Sequence, residues 1–423
     1  MAGWLVPRGD LTPEQLRAVE LPAGRHRVLS GGPGSGKTLV LLHRARALAD
    51  ALFVPEERFL VLVYTNALAA FLRPALADLG IAETAVRTFD DWCAERWERF
   101  VSRRRPQRGG GAPDFEAIRE GVRREALSSP GRPPALDFVL VDEGQDLPAS
   151  AFETLAAVSA HVTVALDPRQ KIYDDGAREA EILDALGIPS RSVALLESYR
   201  CSPLVSALAS RFLRAGEERG AFLRQARAAG GEREAPLLYL ARDSGDELRR
   251  LAEVARARLL RGERVAVLLP NRRLVARFAA GLDEEGIPVE VPRRHGEDDG
   301  PFPALDFASD LVKVMPFHSA KGLTFDAVLL PRLSAADFVP RSEASLRRLL
   351  FVGVTRATSW VYLGTRESDP LPLLAEAGLL SGAPGLVVQR AAGAAPAPFP
   401  ANAGAGPATG AVLSPEADLT GWM

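Results

Sequence analysis

Gly31-Gly32-Pro33-Gly34-Ser35-Gly36-Lys37-Thr38 is the stretch on which the reading of this chain turns. A short apolar segment, Arg27–Leu29, runs into it, and a segment of helical character, Thr38–Leu52, runs out of it. Strand, glycine-rich turn and helix in that order form the setting of a phosphate-binding loop. Glycines let backbone amides curl round phosphate oxygens, and the helix N-terminus adds positive potential. Gly32, Gly34, Ser35 and Gly36 are expected to form the cradle. Lys37 is expected to reach the β- and γ-phosphates of ATP, and the Thr38 hydroxyl to ligate Mg²⁺. The bland alternative is a glycine-rich surface turn. Lysine usage weighs against it: arginine nearly replaces lysine in this chain, and the only lysines are Lys37, Lys171, Lys313 and Lys321. Each of the four falls in or beside a motif, and a chain that otherwise avoids lysine keeps it at those places because they need a compact ammonium.

Around this loop the chain alternates short apolar runs with helical segments. Phe59–Tyr64, Phe138–Asp142 and Val162–Leu166 read as buried strands of a first region. Leu237–Leu240, Arg264–Leu269, Val312–Met315, Ala327–Pro331 and Trp360–Gly364 read as those of a second. That rhythm predicts an α/β fold with parallel sheets covered on both faces. The expected domains are 1–192, with a short basic insertion at about 93–135, and 193–380. An Ala/Gly/Pro-rich tail at 381–423 cannot bury a core and is expected to be disordered. Its last stretch, Leu413–Met423, is more apolar and acidic and could dock a protein partner.

The second chemical signal is Phe138-Val139-Leu140-Val141-Asp142-Glu143. An apolar strand here delivers two carboxylates at its C-terminal end, where ligands of open parallel sheets sit. Asp142 suits the Mg²⁺ shell, and Glu143 suits a base that orients an attacking water. Alone, such a pair could equally be a solvated helix start; downstream of a phosphate loop it reads as part of a nucleoside-triphosphatase.

Composition bounds the rest. The chain has 423 residues, 47% of them hydrophobic and 25% charged, which suits a globular protein of more than one domain. Its net charge of −2 provides no global attraction for nucleic acid, so any such site must be a local groove. No apolar stretch is long enough for a membrane span, and no signal peptide stands at Met1–Asp10. Cys93 and Cys201 have no metal or redox spacing and read as reduced thiols of a cytoplasmic protein.

Asp142-Glu143-Gly144-Gln145-Asp146 resembles the Asp-Glu-x-Gln-Asp box of superfamily 1 helicases, the UvrD, Rep and PcrA group. Other boxes of that family follow in order over residues 10–366. The resemblance implies two RecA-like domains with ATP between them, and it assigns roles. Leu11-Thr12-Pro13-Glu14-Gln15 resembles the Q-motif, with Gln15 reading the adenine edge. Tyr64-Thr65-Asn66 and Thr88-Phe89 resemble the nucleic-acid motifs of the first domain. Asp167-Pro168-Arg169-Gln170 resembles motif III, with Gln170 sensing the γ-phosphate. Ser198-Tyr199-Arg200 resembles motif IV, with Tyr199 stacking on adenine and Arg200 as an arginine finger. His318-Ser319-Ala320-Lys321-Gly322-Leu323 resembles motif V, in which His318 and Ser319 meet nucleic acid and Gly322 meets nucleotide. Val352-Gly353-Val354-Thr355-Arg356-Ala357 resembles motif VI, with Arg356 as the second finger. The surface-arginine alternative for Arg200 and Arg356 stays open at this point.

Departures from the family pattern are equally specific. Leu166 stands where Gly precedes the motif III Asp. Tyr173 is expected against nucleic acid, but Asp174-Asp175-Gly176 follows it where the family has a base-stacking aromatic. Thr324 replaces a motif V carboxylate expected at the ribose, Leu39 replaces a common Arg, and Pro316 replaces a Thr. The chain is short between Phe89 and Leu136 and has little room for a second insertion between Arg200 and His318, which describes a compact form of the family. The Arg103–Arg108 cluster reads either as a phosphate contact or as a solvated loop.

The function expected from the resemblance is an ATP-dependent DNA helicase or single-strand translocase. The His318–Gly322 form of motif V implies 3′→5′ movement on single-stranded DNA, with RNA also open. The rival class is an ATPase switch within a repair or defence complex, without processive unwinding. A nucleotide kinase is disfavoured by the paired fingers and motif V.

Overall fold

The computed structural model describes residues 5–109, 112–128, 133–171, 176–195, 201–226, 234–292, 302, 304–338 and 342–391. Two wholly parallel sheets organise them. The first holds β1 (Arg27–Gly31), β2 (Phe59–Val63), β3 (Val86–Thr88), β4 (Leu136–Val141), β5 (Ser159–Leu166) and β6 (Val193–Leu195), in the order β3-β2-β4-β5-β1-β6. The second holds β7 (Leu237–Ala241), β8 (Val265–Leu269), β9 (Val289–Glu290), β10 (Val312–Pro316), β11 (Phe325–Leu330), β12 (Ala357–Arg366) and β13 (Val387–Arg390), in the order β13-β7-β12-β11-β8-β10-β9. The central strands are apolar at nearly every position because helices cover both faces: β2 reads Phe-Leu-Val-Leu-Val and β8 reads Val-Ala-Val-Leu-Leu, all buried.

The helices of the first half are α1 (Pro13–Val19), α2 (Lys37–Leu52), α3 (Asn66–Asp78), α4 (Phe89–Phe100), α5 (Phe115–Leu127), α6 (Ala149–Val158) and α7 (Glu179–Ala185). Those that follow are α8 (Pro203–Ser210), α9 (Glu217–Gln225), α10 (Ser244–Leu259), α11 (Arg272–Glu284), α12 (Glu343–Val354) and α13 (Pro372–Glu376). Many starts are written in the sequence as side-chain caps: Thr12, Thr65, Thr88, Asp243 and Asn271 each accept from a backbone amide three residues on.

Every strand anticipated from apolar runs is present, while β3, β6, β9 and β13 are additions. Two of them move the expected boundaries. β6 pairs with β1, so residues 193–195 belong to the first sheet rather than opening the second domain. β13 pairs with β7, so the second sheet continues past residue 380, where the tail was expected to start. The Ala/Gly/Pro-rich stretch beyond Ala391 and the Leu413–Met423 peptide lie outside the described residues.

The region expected as a basic insertion is built into the first half. Trp92 and Cys93 of α4 and Ile118 and Val122 of α5 share one apolar core with α6. Arg119 clamps the Asp90 carboxylate with two bonds of 2.6 and 2.7 Å. In the following loop Arg105 pairs with Glu98, and Arg108 with Asp114 and Glu116, so acids within the segment meet part of its charge.

The two sheets meet through α3. Leu68 and Leu72 lie in one apolar cluster with Phe317, Ala320 and Leu323 of the second half. Gly322 has φ of 82°, and a Cβ there would come within 2.5 Å of Leu68, so the close approach requires glycine. Among the described residues no helix is long and apolar enough to cross a membrane.

Candidate nucleotide site

Strand order sets the site. β1, β4 and β5 are the neighbours at the centre of the first sheet, and their C-terminal ends release the glycine loop, the Asp142-Glu143 pair and Asp167 side by side. In the loop, Gly34 and Gly36 take φ of 77° and 83°, which side chains rarely adopt. α2 starts at Lys37, so its first amides point into the turn. The Lys37 ammonium donates to the Gly31 and Gly32 carbonyls at 2.9 and 3.1 Å, and the Ser35 hydroxyl to the Gly32 carbonyl at 3.0 Å.

The Thr38 hydroxyl donates to the Asp142 carboxylate at 2.6 Å. Two oxygen donors converging at that distance beside a phosphate loop suit a hard divalent cation, as Mg²⁺ is. Burial, together with the neighbouring charge of Glu143, raises the Asp142 pKa above its ordinary value. Glu143 is held in a left-handed conformation with φ of 52°, a strained setting for a side-chain-bearing residue. Burial alone would raise its pKa, but the ammoniums of Lys321 and Lys37 and the guanidinium of Arg356 outweigh burial and hold it well below the usual carboxylate range.

Beyond Glu143 a hydrogen-bonded chain crosses from one sheet to the other. The Gln145 amide donates to Glu143 and its oxygen accepts from the Asp167 backbone at 3.0 Å. The Gln170 amide donates to Asp167 at 2.9 Å, and its oxygen accepts from Arg356 at 2.7 Å. Arg356 also donates to the Val352 carbonyl at 3.0 Å and is 1% exposed. Lys321, fully buried, donates to Asp146 and to the Gln170 carbonyl at 2.6 Å and stands 3.7 Å from Glu143.

A cleft of about 200 Å³ opens among these groups. Gly34, Gly36, Lys37, Thr38, Glu143 and Gln170 line it from the first half; Arg264, Gly322, Thr324 and Arg356 line it from the second. Arg264, Thr324 and Arg356 directly precede β8, β11 and β12. The second sheet thus presents the N-terminal edge of its strands to the C-terminal edge of the first.

Most of the expected nucleotide residues converge here: Gly34, Gly36, Lys37, Thr38, Asp142, Glu143, Gln170, Gly322 and Arg356. Gln15 stands beside the loop. Its amide nitrogen donates to the Ser35 carbonyl at 3.1 Å, and its oxygen accepts from the Thr12 amide at 3.0 Å. The amide thus ties the start of α1 to the phosphate loop and keeps a second N–H and a second lone pair. Tyr173, Tyr199 and Arg200 lie outside the described residues.

The expected nucleic-acid residues divide. Asn66 is exposed and His318 half-exposed. Tyr64, Thr88, Phe89 and Ser319 are 8%, 2%, 4% and 3% exposed. The Thr88 hydroxyl caps α4, accepting from the Asp91 amide at 3.1 Å. Phe89 stacks on Trp92 with ring centroids 5.8 Å apart, and Lys321 stands 5.8 Å over the Tyr64 ring. Cys93 and Cys201 are both buried, and the Cys201 thiol donates to the Thr355 carbonyl at 3.7 Å.

Sequence reading quoted Lys321, Gln145 and Asp146 within motifs but gave them no part in the site. The scarcity of lysine had marked Lys321 as a place that needs an ammonium, without a partner for it. Arg264 and Phe71, which also line the cleft, carry no motif and emit no such signal.

Comparison with known proteins agrees with this geometry. Residues 11–126 match the family model of the UvrD/REP helicase N-terminal domain, and residues 311–363 match that of the UvrD-like helicase C-terminal domain. No curated protein gives a significant match. Among solved structures, the C-terminal domain of a possible DNA helicase from Lactobacillus plantarum WCFS1 is 17% identical. The match covers 45% of this chain and 98% of that one, with a TM-score of 0.34, a likeness too distant to build on. The N-terminal match spans the phosphate loop and the C-terminal match spans motif V and the strands around it, so that both halves of the chain are similar to UvrD/Rep-like helicases.

Proposed function

We infer that the chain hydrolyses ATP in the cleft between its two sheets and uses the cycle to move 3′→5′ along single-stranded DNA. The observation that carries this reading is the link from Arg356 to Gln170 at 2.7 Å, which brings a cation of the second half to the phosphate side of the first. In this reading the loop amides and Lys37 hold the β- and γ-phosphates. Lys37 exchanges its bonds to the Gly31 and Gly32 carbonyls for phosphate oxygens. Thr38 and Asp142 hold Mg²⁺, which when bound neutralises charge on the phosphates. Glu143, kept ionised by Lys321, Lys37 and Arg356, orients the attacking water. Arg356 stabilises charge on the transferred group, with Arg200 as its expected companion.

Closure on ATP and reopening after hydrolysis become movement when each half grips the strand in turn. Asn66 and His318 are the side chains of the first and second halves that reach the surface for this. The test is ATP turnover with and without defined single strands, joined to displacement of a protein bound at either end. Stimulation by DNA with displacement from the 5′ end supports the motor. Turnover that ignores DNA points instead to an ATPase switch within a larger complex.

A further inference from the structure

Asp167 stands at a fork. Its Oδ2 accepts from the Gln170 amide at 2.9 Å, and Gln170 leads on to Arg356 of the second half. Its Oδ1 accepts from the backbone amide and the Nε of Arg169 at 3.1 and 3.3 Å. From there Arg169 leaves the first half by a different route. Its Nη2 donates to the Gln225 side-chain oxygen at 3.1 Å, and the centre of its guanidinium lies 5.9 Å from the centroid of the Phe222 ring. Both partners stand on α9, which is fixed to the second half. Phe222 meets Phe351 of α12 edge-on, with centroids 5.2 Å apart. α8, which precedes α9, is tied to β12 by the Ser202 amide and hydroxyl, which donate to the Thr358 and Ser359 carbonyls at 2.7 and 3.2 Å. α12 ends at Val354, just before Arg356.

This second route lies against the phosphate loop. A Cβ built on Gly32 would fall 2.9 Å from Arg169 Nη2 and 3.8 Å from Gln225 Oε1. The Gly32 carbonyl accepts from the Lys37 ammonium at 3.1 Å and from the Ser35 hydroxyl at 3.0 Å. A single link between two bodies acts as a pivot, fixing a distance while leaving rotation free. A second link at a separate point removes that rotation, and a finger must be oriented as well as near.

We propose that Arg169 and Gln225 form a second latch between the two halves, seated on the outer side of the phosphate loop, which fixes the angle at which Arg356 enters the cleft and lets phosphate binding at the loop bias the second half towards the closed form. This rests on the cleft being the nucleotide site. Arg169 is a positioning residue: it stands against the loop rather than against the phosphates. When Lys37 gives up the Gly32 carbonyl for phosphate oxygens, the residue on which the latch rests changes partners.

The test compares the full chain with Gln225→Ala, Arg169→Ala, their double variant and Gln225→Glu. Steady-state ATP turnover is one readout. Closing is the other, followed by energy transfer between a dye on each half as a non-hydrolysable ATP analogue is added. Gln225→Ala is the informative single change, because Arg169 keeps both bonds to Asp167. It should weaken closing and cut turnover roughly 10- to 100-fold, the effect of losing a hydrogen bond to a charged group. Inorganic tripolyphosphate, which needs only the loop, should still bind within about twofold of the parent. The double variant should be no worse than Arg169→Ala, since both changes remove one contact. Gln225→Glu keeps an acceptor for Arg169 and should turn over near the parent rate. Normal closing and turnover in Gln225→Ala would overturn the proposal. So would losses that multiply in the double variant, or tripolyphosphate affinity falling in parallel with turnover, which would mean damage to the loop. A parent that closes on the analogue without hydrolysing ATP would remove the hydrolysis reading, and closing alone would then decide the latch. A parent that binds neither analogue nor tripolyphosphate would end both.

Discussion

Lys321→Met puts the link between the two halves to the test. Lys321 is fully buried, and its ammonium serves Asp146, whose side chain is also fully buried, the Gln170 carbonyl at 2.6 Å, and Glu143 at 3.7 Å. Methionine keeps much of the volume and removes the cation. Two buried carboxylates then lose their nearest positive charge, and breaking a buried pair by deleting one partner costs about 3–5 kcal/mol. For units of this size that corresponds to a fall in Tm of about 6–20 °C. A pH signature follows from Glu143. Its folded pKa is depressed below the ordinary 4.5, so the stability it contributes is present above 4.5 and is lost as pH falls through the depressed folded value. Without Lys321 the largest attraction opposing burial is gone and the folded pKa rises. Lys321→Met should therefore lose less stability on acidification than the parent, because less of its stability depends on Glu143 being ionised. Adding Asp146→Asn should recover much of the stability by removing a buried charge that has lost its lysine. Thermal melts of the three variants and the parent between pH 8 and pH 4 measure all of this. A Tm for Lys321→Met within about 2 °C of the parent, well under the buried-pair range, with an unchanged acid profile, would refute the reasoning.

Lys37→Ala should abolish ATP turnover, and Glu143→Gln should retain nucleotide binding while stalling hydrolysis; substantial turnover in Glu143→Gln would remove it as the water-orienting base. Arg356→Ala should lower turnover by about 10³–10⁵, the range seen for arginine fingers, and near-normal steady-state rates would exclude that role. Truncation after Ala391 should leave Tm and turnover unchanged, whereas truncation after Leu380 removes β13 from its pairing with β7 and should lower Tm measurably; equal melting curves for the two would show that β13 contributes nothing.

The chemistry of the phosphate side was readable in the chain because it is local. A phosphate loop needs glycines, a lysine and a hydroxyl at fixed spacing between a strand and a helix, and nearly every such demand is met within Gly31–Thr38. The long strands were readable for a similar reason, since strands covered on both faces must be continuously apolar. The strands that escaped, β3, β6, β9 and β13, are two to four residues long. Segments so short hold no period, and their existence depends on an edge supplied by a neighbour. Pairings across the cleft were beyond any spacing rule: Lys321 and Asp146 stand 175 residues apart, and Arg356 and Gln170 stand 186 apart. Which carboxylate a buried cation meets is set by strand order and by how one sheet seats on the other. The same holds for Gln15, whose amide could have faced a base or the loop, and for Thr88 and Phe89, which a motif places beside nucleic acid and packing places in a cap and a core. The sequence determined which reactive groups the chain carries and which loop offers them; only the tertiary structure decided which groups face one another and which are buried, because burial and long-range pairing are properties of the packed whole.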